Sequence, residues 1–209
     1  MPFIVQLDAE LVVVDKPHGL LSVPGRGPER ADCAWARVRK FAGNALVVHR
    51  LDMATSGLLL FARGAALQRA FSIAFAQRAA HKRYEALVEG GPDVAAGDAG
   101  EIALPLSADW LNRPRQHVDF VRGKPSLTRW RVLERDGART RLLLEPVTGR
   151  SHQLRVHLAA MGWPIVGDRL YDDPARAARA PRLMLHASEL ALRHPIDGRP
   201  LRWDSAVPF

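Results

Sequence analysis

The stretch Ala45-Leu-Val-Val-His-Arg-Leu-Asp-Met-Ala-Thr-Ser-Gly-Leu-Leu-Leu-Phe-Ala62 sets two apolar runs on either side of a polar insert. The runs 45–48 and 57–62 are short and rich in large aliphatic residues, so they read as buried strands. The insert from His49 to Ser56 gathers ionisable and small polar side chains on a loop that two strands would hold still. Loops positioned in this way are where binding and catalysis concentrate. Asp52 stands out within it. With an unperturbed pKa of about 3.9 it is ionised at neutral pH and can serve as a nucleophile or a general base. The same residue also fits a turn cap or a pairing with Arg50.

Working outward, Leu11-Val-Val-Val-Asp15 before Lys16-Pro17 reads as another buried strand, and 22–30 (SVPGRGPER) as a loop. Downstream, 65–80 has helical periodicity with Leu67, Phe71, Ala74 and Phe75 on one face. Residues 84–89 are strand-like, and 89–100 (EGGPDVAAGDAG) read as a loop. Runs 126–134 and 140–145 flank Arg135-Asp136-Gly137-Ala138, a hairpin signal. Residues 151–161 read as a short helix with Leu154, Leu158 and Met161 inward, closed by Gly162 and Pro164. A last hairpin joins 183–192 to 201–203. Strands outnumber helices without strict alternation, which predicts an α+β fold with a largely antiparallel sheet. Nothing in the pattern divides the chain, so 1–209 is expected to be a single domain.

At 209 residues and 47% hydrophobic content the chain can bury a sizeable core. No apolar run approaches the ~18–20 residues that span a bilayer, and the segment from Met1 to Asp8 lacks the pattern of a signal peptide. The lone Cys33 excludes an internal disulfide and a cysteine metal cluster, and reads as a small buried side chain. A cytoplasmic protein without membrane association is expected. Lys plus Arg number 30 against 22 Asp plus Glu, a net charge of +8, and the pI is near 10.7. That balance favours a polyanionic partner, because neutralising phosphates releases condensed counterions. All of the basic residues except Lys16, Lys40, Lys82 and Lys124 are arginines, which suit bidentate phosphate contacts and stacking on bases.

Two further segments carry candidate chemistry. His81-Lys-Arg-Tyr84 leads basic residues to one of only two tyrosines. Tyr84 can stack on a base or move a proton, and it equally suits an edge-strand aromatic. Thr148-Gly-Arg-Ser-His-Gln-Leu-Arg155 lies where a strand turns into a helix. Backbone N–H groups and arginines there can converge on an anion, or simply begin a solvated basic helix. The sequence has no G-x-x-x-x-G-K-[ST], no G-x-G-x-x-G and no H-E-x-x-H, and Ser56-Gly57 lacks the G-x-S-x-G elbow. Neither a metal, a nucleotide cofactor nor serine hydrolysis is expected.

His49-Arg-Leu-Asp-Met-Ala-Thr-Ser-Gly-Leu58, Lys82-Arg-Tyr84 and Gly149-Arg-Ser-His-Gln-Leu-Arg155 together resemble, in order, three motifs of the RluA-type pseudouridine synthase family. Val13-Val-Asp-Lys-Pro-His-Gly19, Pro164-Ile-Val-Gly-Asp168 and Pro181-Arg-Leu-Met-Leu-His186 extend the resemblance over nearly the whole chain. Leu20-Leu-Ser-Val-Pro-Gly-Arg26, Asp109-Trp-Leu-Asn-Arg-Pro114 and Asp168-Arg-Leu-Tyr171 are most similar to the short, dual-specificity type. The resemblance implies the pseudouridine synthase fold: a mixed, largely antiparallel central sheet with flanking helices and a central active-site cleft. It also implies that the N-terminal S4-like domain of many relatives is missing, since the first strand begins almost at residue 1.

The resemblance further implies a cofactor-free, metal-free isomerisation, by a monomer, of uridines in a tRNA anticodon stem-loop and in a large-subunit rRNA loop. Asp52 would be the catalytic aspartate, Arg150 the cation paired with it, and Tyr84 the residue packed on the flipped base. Arg50 would fill the space that the base leaves. His49, Lys82, His152, Gln153 and Arg155 would contact RNA or support the site. On the residues alone two other readings stay open: an RNA-binding relative without catalysis, and a nuclease or glycosylase that uses a lone aspartate.

Overall fold

The computed structural model describes residues 3–209, so Met1 and Pro2 of the N-terminal segment lie outside it. The chain begins with a hairpin of β1 (Ile4–Leu7) and β2 (Leu11–Lys16). The Asp8 carboxylate closes its turn by accepting the N–H groups of Glu10 and Leu11. A short helix, α1 (Ala34–Arg39), precedes β3 (Ala45–Val47), the polar loop and β4 (Ser56–Arg63). Helix α2 (Ala65–Ala76) leads to β5 (His81–Glu89) and β6 (Ala99–Ala103). A small hairpin, β7 (Leu106–Ala108) and β8 (Gln116–Val118), comes before the long one, β9 (Leu127–Asp136) and β10 (Arg139–Pro146). Helices α3 (Gln153–Ala160) and α4 (Pro174–Ala177) are followed by the closing hairpin of β11 (Leu185–Arg193) and β12 (Pro200–Asp204).

These elements divide into two compact units. One takes the chain up to Lys82 together with His186–Pro208; the other takes Arg83–Leu185 and Phe209. In the first unit β2 lies antiparallel to β1 and to β4, β3 antiparallel to β4, and β12 antiparallel to β11. The exception is β4 beside β11, which run parallel with His186 opposite Ser56. Strands β2 and β4 are apolar at consecutive positions because both of their faces are covered: Leu11 to Val14 and Leu58 to Ala62 are at most 2% exposed. One face packs Leu11, Val13, Leu58, Leu60 and Ala62 with Phe71 of α2 and with Leu190, Leu192, Leu201 and Trp203. Each large side chain so removed from water stabilises the fold by roughly 1.5–3 kcal/mol. Helix α2 stops at Ala76, short of the expected Ala80. Arg78 turns left-handed at φ 62, and the Ala79 N–H bonds back to the Ala74 carbonyl. That closing turn leaves no trace in hydrophobic periodicity.

The second unit carries an antiparallel run in the order β5-β10-β9-β6. Its alternation has the period of two expected where one face is solvated: Thr128, Val132, Leu142 and Leu144 are buried, while Arg129, Arg131 and Leu133 are exposed. The expected β9–β10 hairpin forms, but Asp136 and Arg139 are still paired, so only Gly137 and Ala138 turn. Gly137 supplies φ 55 there. The expected loop over 89–100 is narrower, because Glu89 ends β5 and Ala99 begins β6. In α3, Leu154 and Leu158 face inward as expected. Met161 does not: it caps the helix and is 43% exposed, since Gly162 at φ 79 turns the chain away directly after it.

Candidate active site

The loop that carries Asp52 is tied down on both sides of that residue. His49 stacks on Phe75 of α2 with ring centroids 4.4 Å apart and planes 15° apart, and its Nε2 accepts the Leu60 N–H at 3.1 Å. Burial, helped by the Lys82 ammonium nearby, lowers the His49 pKa to about 3. The ring is therefore neutral at ordinary pH, with its proton on Nδ1. Leu51 is held by Ser22: its N–H donates to Ser22 Oγ at 3.0 Å, and its carbonyl accepts from that hydroxyl at 2.7 Å. Met53 is held through its carbonyl, which accepts the Gly19 N–H at 2.8 Å and Lys16 Nζ at 3.2 Å. Lys16 is fully buried and also donates to the carbonyls of Pro17 and Leu20. Asp52, half-buried, lies between these two anchored neighbours, and its carbonyl takes the Thr55 N–H at 3.1 Å. Its backbone is therefore held on both sides, which presents the carboxylate in one place. Arg50 is exposed.

The loop ends at Ser56, where a second set of contacts holds it. The Ser205 hydroxyl donates to Asp15 Oδ2 at 2.6 Å, so Ser205 Oγ accepts from His186 Nε2–H at 2.9 Å. In the neutral imidazole Nδ1 is then an acceptor, and the Ser56 hydroxyl donates to it at 2.8 Å. A single directed chain, Ser56 to His186 to Ser205 to Asp15, links the start of β4 to β2 and β11. Next along, Gly57 has φ 111, and a Cβ there would collide with the backbone of Ala187.

In the second unit, Tyr84 is half-buried on β5 opposite Leu144 of β10, and its neighbour Arg83 pairs with Glu145 at 2.8 Å. Lys82, at the start of the same strand, has its pKa pushed down by burial. Arg150 is exposed on the turn before α3, with Nε and one terminal nitrogen each 3.3 Å from the Pro125 carbonyl. Gln153 braces that turn. Its Oε1 accepts the Arg150 N–H at 3.0 Å and the Thr148 hydroxyl at 2.7 Å, while its Nε2 donates to Leu127 O and Thr128 Oγ1. The Thr128 hydroxyl passes on to His157 Nδ1, and His157 Nε2–H to the Leu104 carbonyl, each at 3.0 Å. Burial holds the His157 pKa below the usual histidine range, against a smaller upward pull from Leu104. The network is saturated, as a buried polar cluster must be.

His49, Arg50 and Asp52 thus share one loop, and Arg150, His152, Gln153 and Arg155 share a turn and the first turn of α3. Two of the nine expected site residues are enclosed in the fold. Gln153 is 4% and Arg155 5% exposed, and Arg155 makes a bidentate pair with Asp168 at 2.7 and 2.6 Å. Through these bonds Gln153 supports the turn, and Arg155 ties α3 to Asp168. The residues that sequence reasoning missed are the anchors Lys16, Ser22, His186 and Ser205. It used 109–114 only for the family resemblance and named no site residue in 109–124, where Trp110, Leu111, Phe120 and Val121 are 71%, 96%, 78% and 91% exposed. Arg113 lies 3.7 Å over the Trp110 ring. The interleaving of aromatic with basic residues there was a readable sign of a nucleic-acid surface. Among the described residues no group of three or more His, Cys, Asp or Glu is arranged to hold a metal ion, and no helix is long and apolar enough to cross a membrane.

Comparison with known proteins adds a further observation. Residues 10–160 match the family model described as RNA pseudouridylate synthase. The chain is 50% identical over 207 residues to the dual-specificity RNA pseudouridine synthase RluA of Pasteurella multocida, covering 99% of this chain and 93% of that protein. It is 45% identical over 203 residues to the protein of the same name from Escherichia coli K12, covering 97% and 91%. Among solved structures, human RNA pseudouridylate synthase domain containing 1 superposes with a TM-score of 0.82 at 29% identity, covering 99% of this chain and 84% of that one.

Proposed function

This chain belongs to the RNA pseudouridylate synthase family, and on that premise we propose that Asp52 is the carboxylate with which it isomerises uridine in RNA. The observation that carries the reading is the anchoring of Leu51 and Met53 on either side of Asp52 by Ser22, Gly19 and the buried Lys16. A lone aspartate that merely capped a turn would not need both neighbours held.

Forming pseudouridine breaks the N1–C1′ bond, turns the freed uracil and rejoins it through C5. The base must first leave its stack, at a cost on the order of a few kcal/mol that is smaller in a loop than in a duplex. Arg50, exposed two residues before Asp52, fills the vacated space with a planar cation able to stack and to bind phosphate. Asp52 then acts at C1′, at C6, or on a proton on the way to a glycal. All three routes need an ionised and aimed carboxylate, and Arg150 serves that need as its cation. Tyr84 packs on the base and helps remove the C5 proton, through a relay because a phenol of pKa about 10 is a poor free base.

The substrates are a uridine of a tRNA anticodon stem-loop and another in a large-subunit rRNA loop. Two relatives named for dual specificity, each covered over more than nine-tenths of its length, support this. Unstacked loops are also the usual targets of sequence-specific RNA recognition. The exposed Trp110 with Arg113 offers a stacking platform, and the net charge of +8 supplies long-range attraction. The protein works as a cytoplasmic monomer with one catalytic domain. The test is tritium release from tRNA and rRNA transcripts labelled at uridine C5, with EDTA present, for wild type and Asp52→Asn. Release by wild type alone, without free uracil, is expected. Equal release by the mutant would remove Asp52 from the mechanism, and free uracil would mean a glycosylase.

A further inference from the structure

Tyr171 connects two parts of the second unit that the reaction uses separately. The Gln116 backbone N–H, on β8, donates to Tyr171 Oη at 2.8 Å. The single phenolic proton is therefore turned the other way, to His152 Nδ1 at 2.6 Å, which leaves the proton of the neutral imidazole on Nε2. The main chain of Tyr171 is held by its N–H bond to Asp168, and its ring faces the guanidinium of Arg155, itself paired with Asp168. His152 is the residue that caps α3, two after Arg150, and it holds φ 54 and ψ 15. L side chains avoid this left-handed region, so something must hold His152 in it. On the other side of the phenol, Gln116 ends the excursion that displays Trp110 and Leu111.

We propose that the Tyr171 hydroxyl is a positioning group that couples the RNA-gripping hairpin β7–β8 to the turn presenting Arg150. Seating RNA on the hairpin then fixes Gln116, and through Tyr171 and His152 it fixes the turn from which Arg150 acts. This rests on the proposed function for the role of Arg150 and for RNA on the hairpin; the hydrogen bonds from Gln116 through Tyr171 to His152 do not.

The substitution Tyr171→Phe removes one oxygen and no packing. Hydrogen exchange with and without tRNA is the first readout, since it does not depend on catalysis. In wild type, RNA slows exchange both in 106–118 and at the amides of 150–153. In Y171F, protection of 106–118 persists and that of 150–153 is lost. Turnover is the second readout: kcat falls by about 10–100-fold, the cost of a misplaced catalytic group, while KM is nearly unchanged. Adding His152→Gly, which makes the left-handed turn accessible without a tether, restores part of that loss. Equal protection of 150–153 in Y171F would overturn the proposal, because RNA would then touch the turn directly. So would an unchanged kcat, or a loss of thermal stability with no rescue by His152→Gly. A wild type that protects both segments yet releases no tritium would instead refute the proposed reaction and leave the coupling standing.

Discussion

The Ser56 hydroxyl donates to Nδ1 of His186 across 2.8 Å, joining the first residue of β4 to the strand that runs parallel beside it. Both side chains are buried, at 3% and 1% exposure, so neither can turn to water if the bond is lost. Ser56→Ala therefore removes a donor from a buried acceptor and is expected to cost about 1–3 kcal/mol in urea unfolding. Ser205→Ala interrupts the same directed chain nearer to Asp15. The double mutant should accordingly lose less than the two single losses added together. Strict additivity would show that the bonds are independent.

Gly57 and Gly64 both hold positive φ, at 111 and 88, and they separate strain from collision. At Gly64, with φ 88 and ψ 156, an added Cβ meets nothing within 4 Å, so Gly64→Ala carries only the conformational penalty of about 1–3 kcal/mol. At Gly57 the Cβ strikes the Ala187 backbone, and main chain cannot move aside without separating β4 from β11. Gly57→Ala should lose more than about 3 kcal/mol, or fail to accumulate as folded protein. Thermal melting of the pair decides it, with similar shifts counting against the close approach.

Acid should weaken the protein through two imidazoles that their desolvation holds neutral. His49 has a pKa of about 3 in the fold, and burial also lowers that of His157. Below a pH of about 6.5 the unfolded chain takes up protons that these rings refuse, so stability is complete above that value and declines as pH falls toward 3. His49→Gln keeps an acceptor for the Leu60 N–H but does not titrate. Its unfolding free energy should fall less steeply than that of wild type between about pH 6.5 and 5, where the carboxylates are still ionised. Parallel profiles would mean that His49 is protonated without penalty in the fold.

How far the sequence reaches is shown by particular residues. Residues 11–14 and 58–62 are apolar without a break, and they proved to be strands covered on both faces. The β9–β10 and β11–β12 hairpins carried turn residues and were legible for that reason. The two units were not legible, because the first is built from both ends of the chain and no linker marks the crossing at Lys82 or His186. The loop with Asp52 was readable from its local contrast with its flanks. Its anchors were not: Asp15 and Ser205 meet across 190 positions, and Lys16 reads as an ordinary surface lysine until its burial is seen. For Arg155 the sequence left contact with RNA and support of the site both open. Spacing puts it near Arg150, and its burial could not be foreseen because Asp168, its partner, lies beyond the end of α3.

Arg155 and Asp168 are 5% and 1% exposed, and two hydrogen bonds join them in a fork. Asp168 also accepts the N–H groups of Leu170 and Tyr171, so it organises the segment that presents Tyr171. Asp168→Asn leaves a buried guanidinium without its counter-charge and should cost about 3–5 kcal/mol. Arg37 and Asp32 are a comparably short pair on the surface, at 43% and 63% exposure, and Arg37→Ala should leave the urea midpoint unmoved. RNA binding separates support from contact. Under conditions where it remains folded, Arg155→Met should keep the salt dependence of tRNA binding of wild type, because no phosphate contact is removed. A slope lowered by about 0.7–0.9 in log K against log salt is the signature of one lost phosphate contact, and it would return Arg155 to the RNA surface.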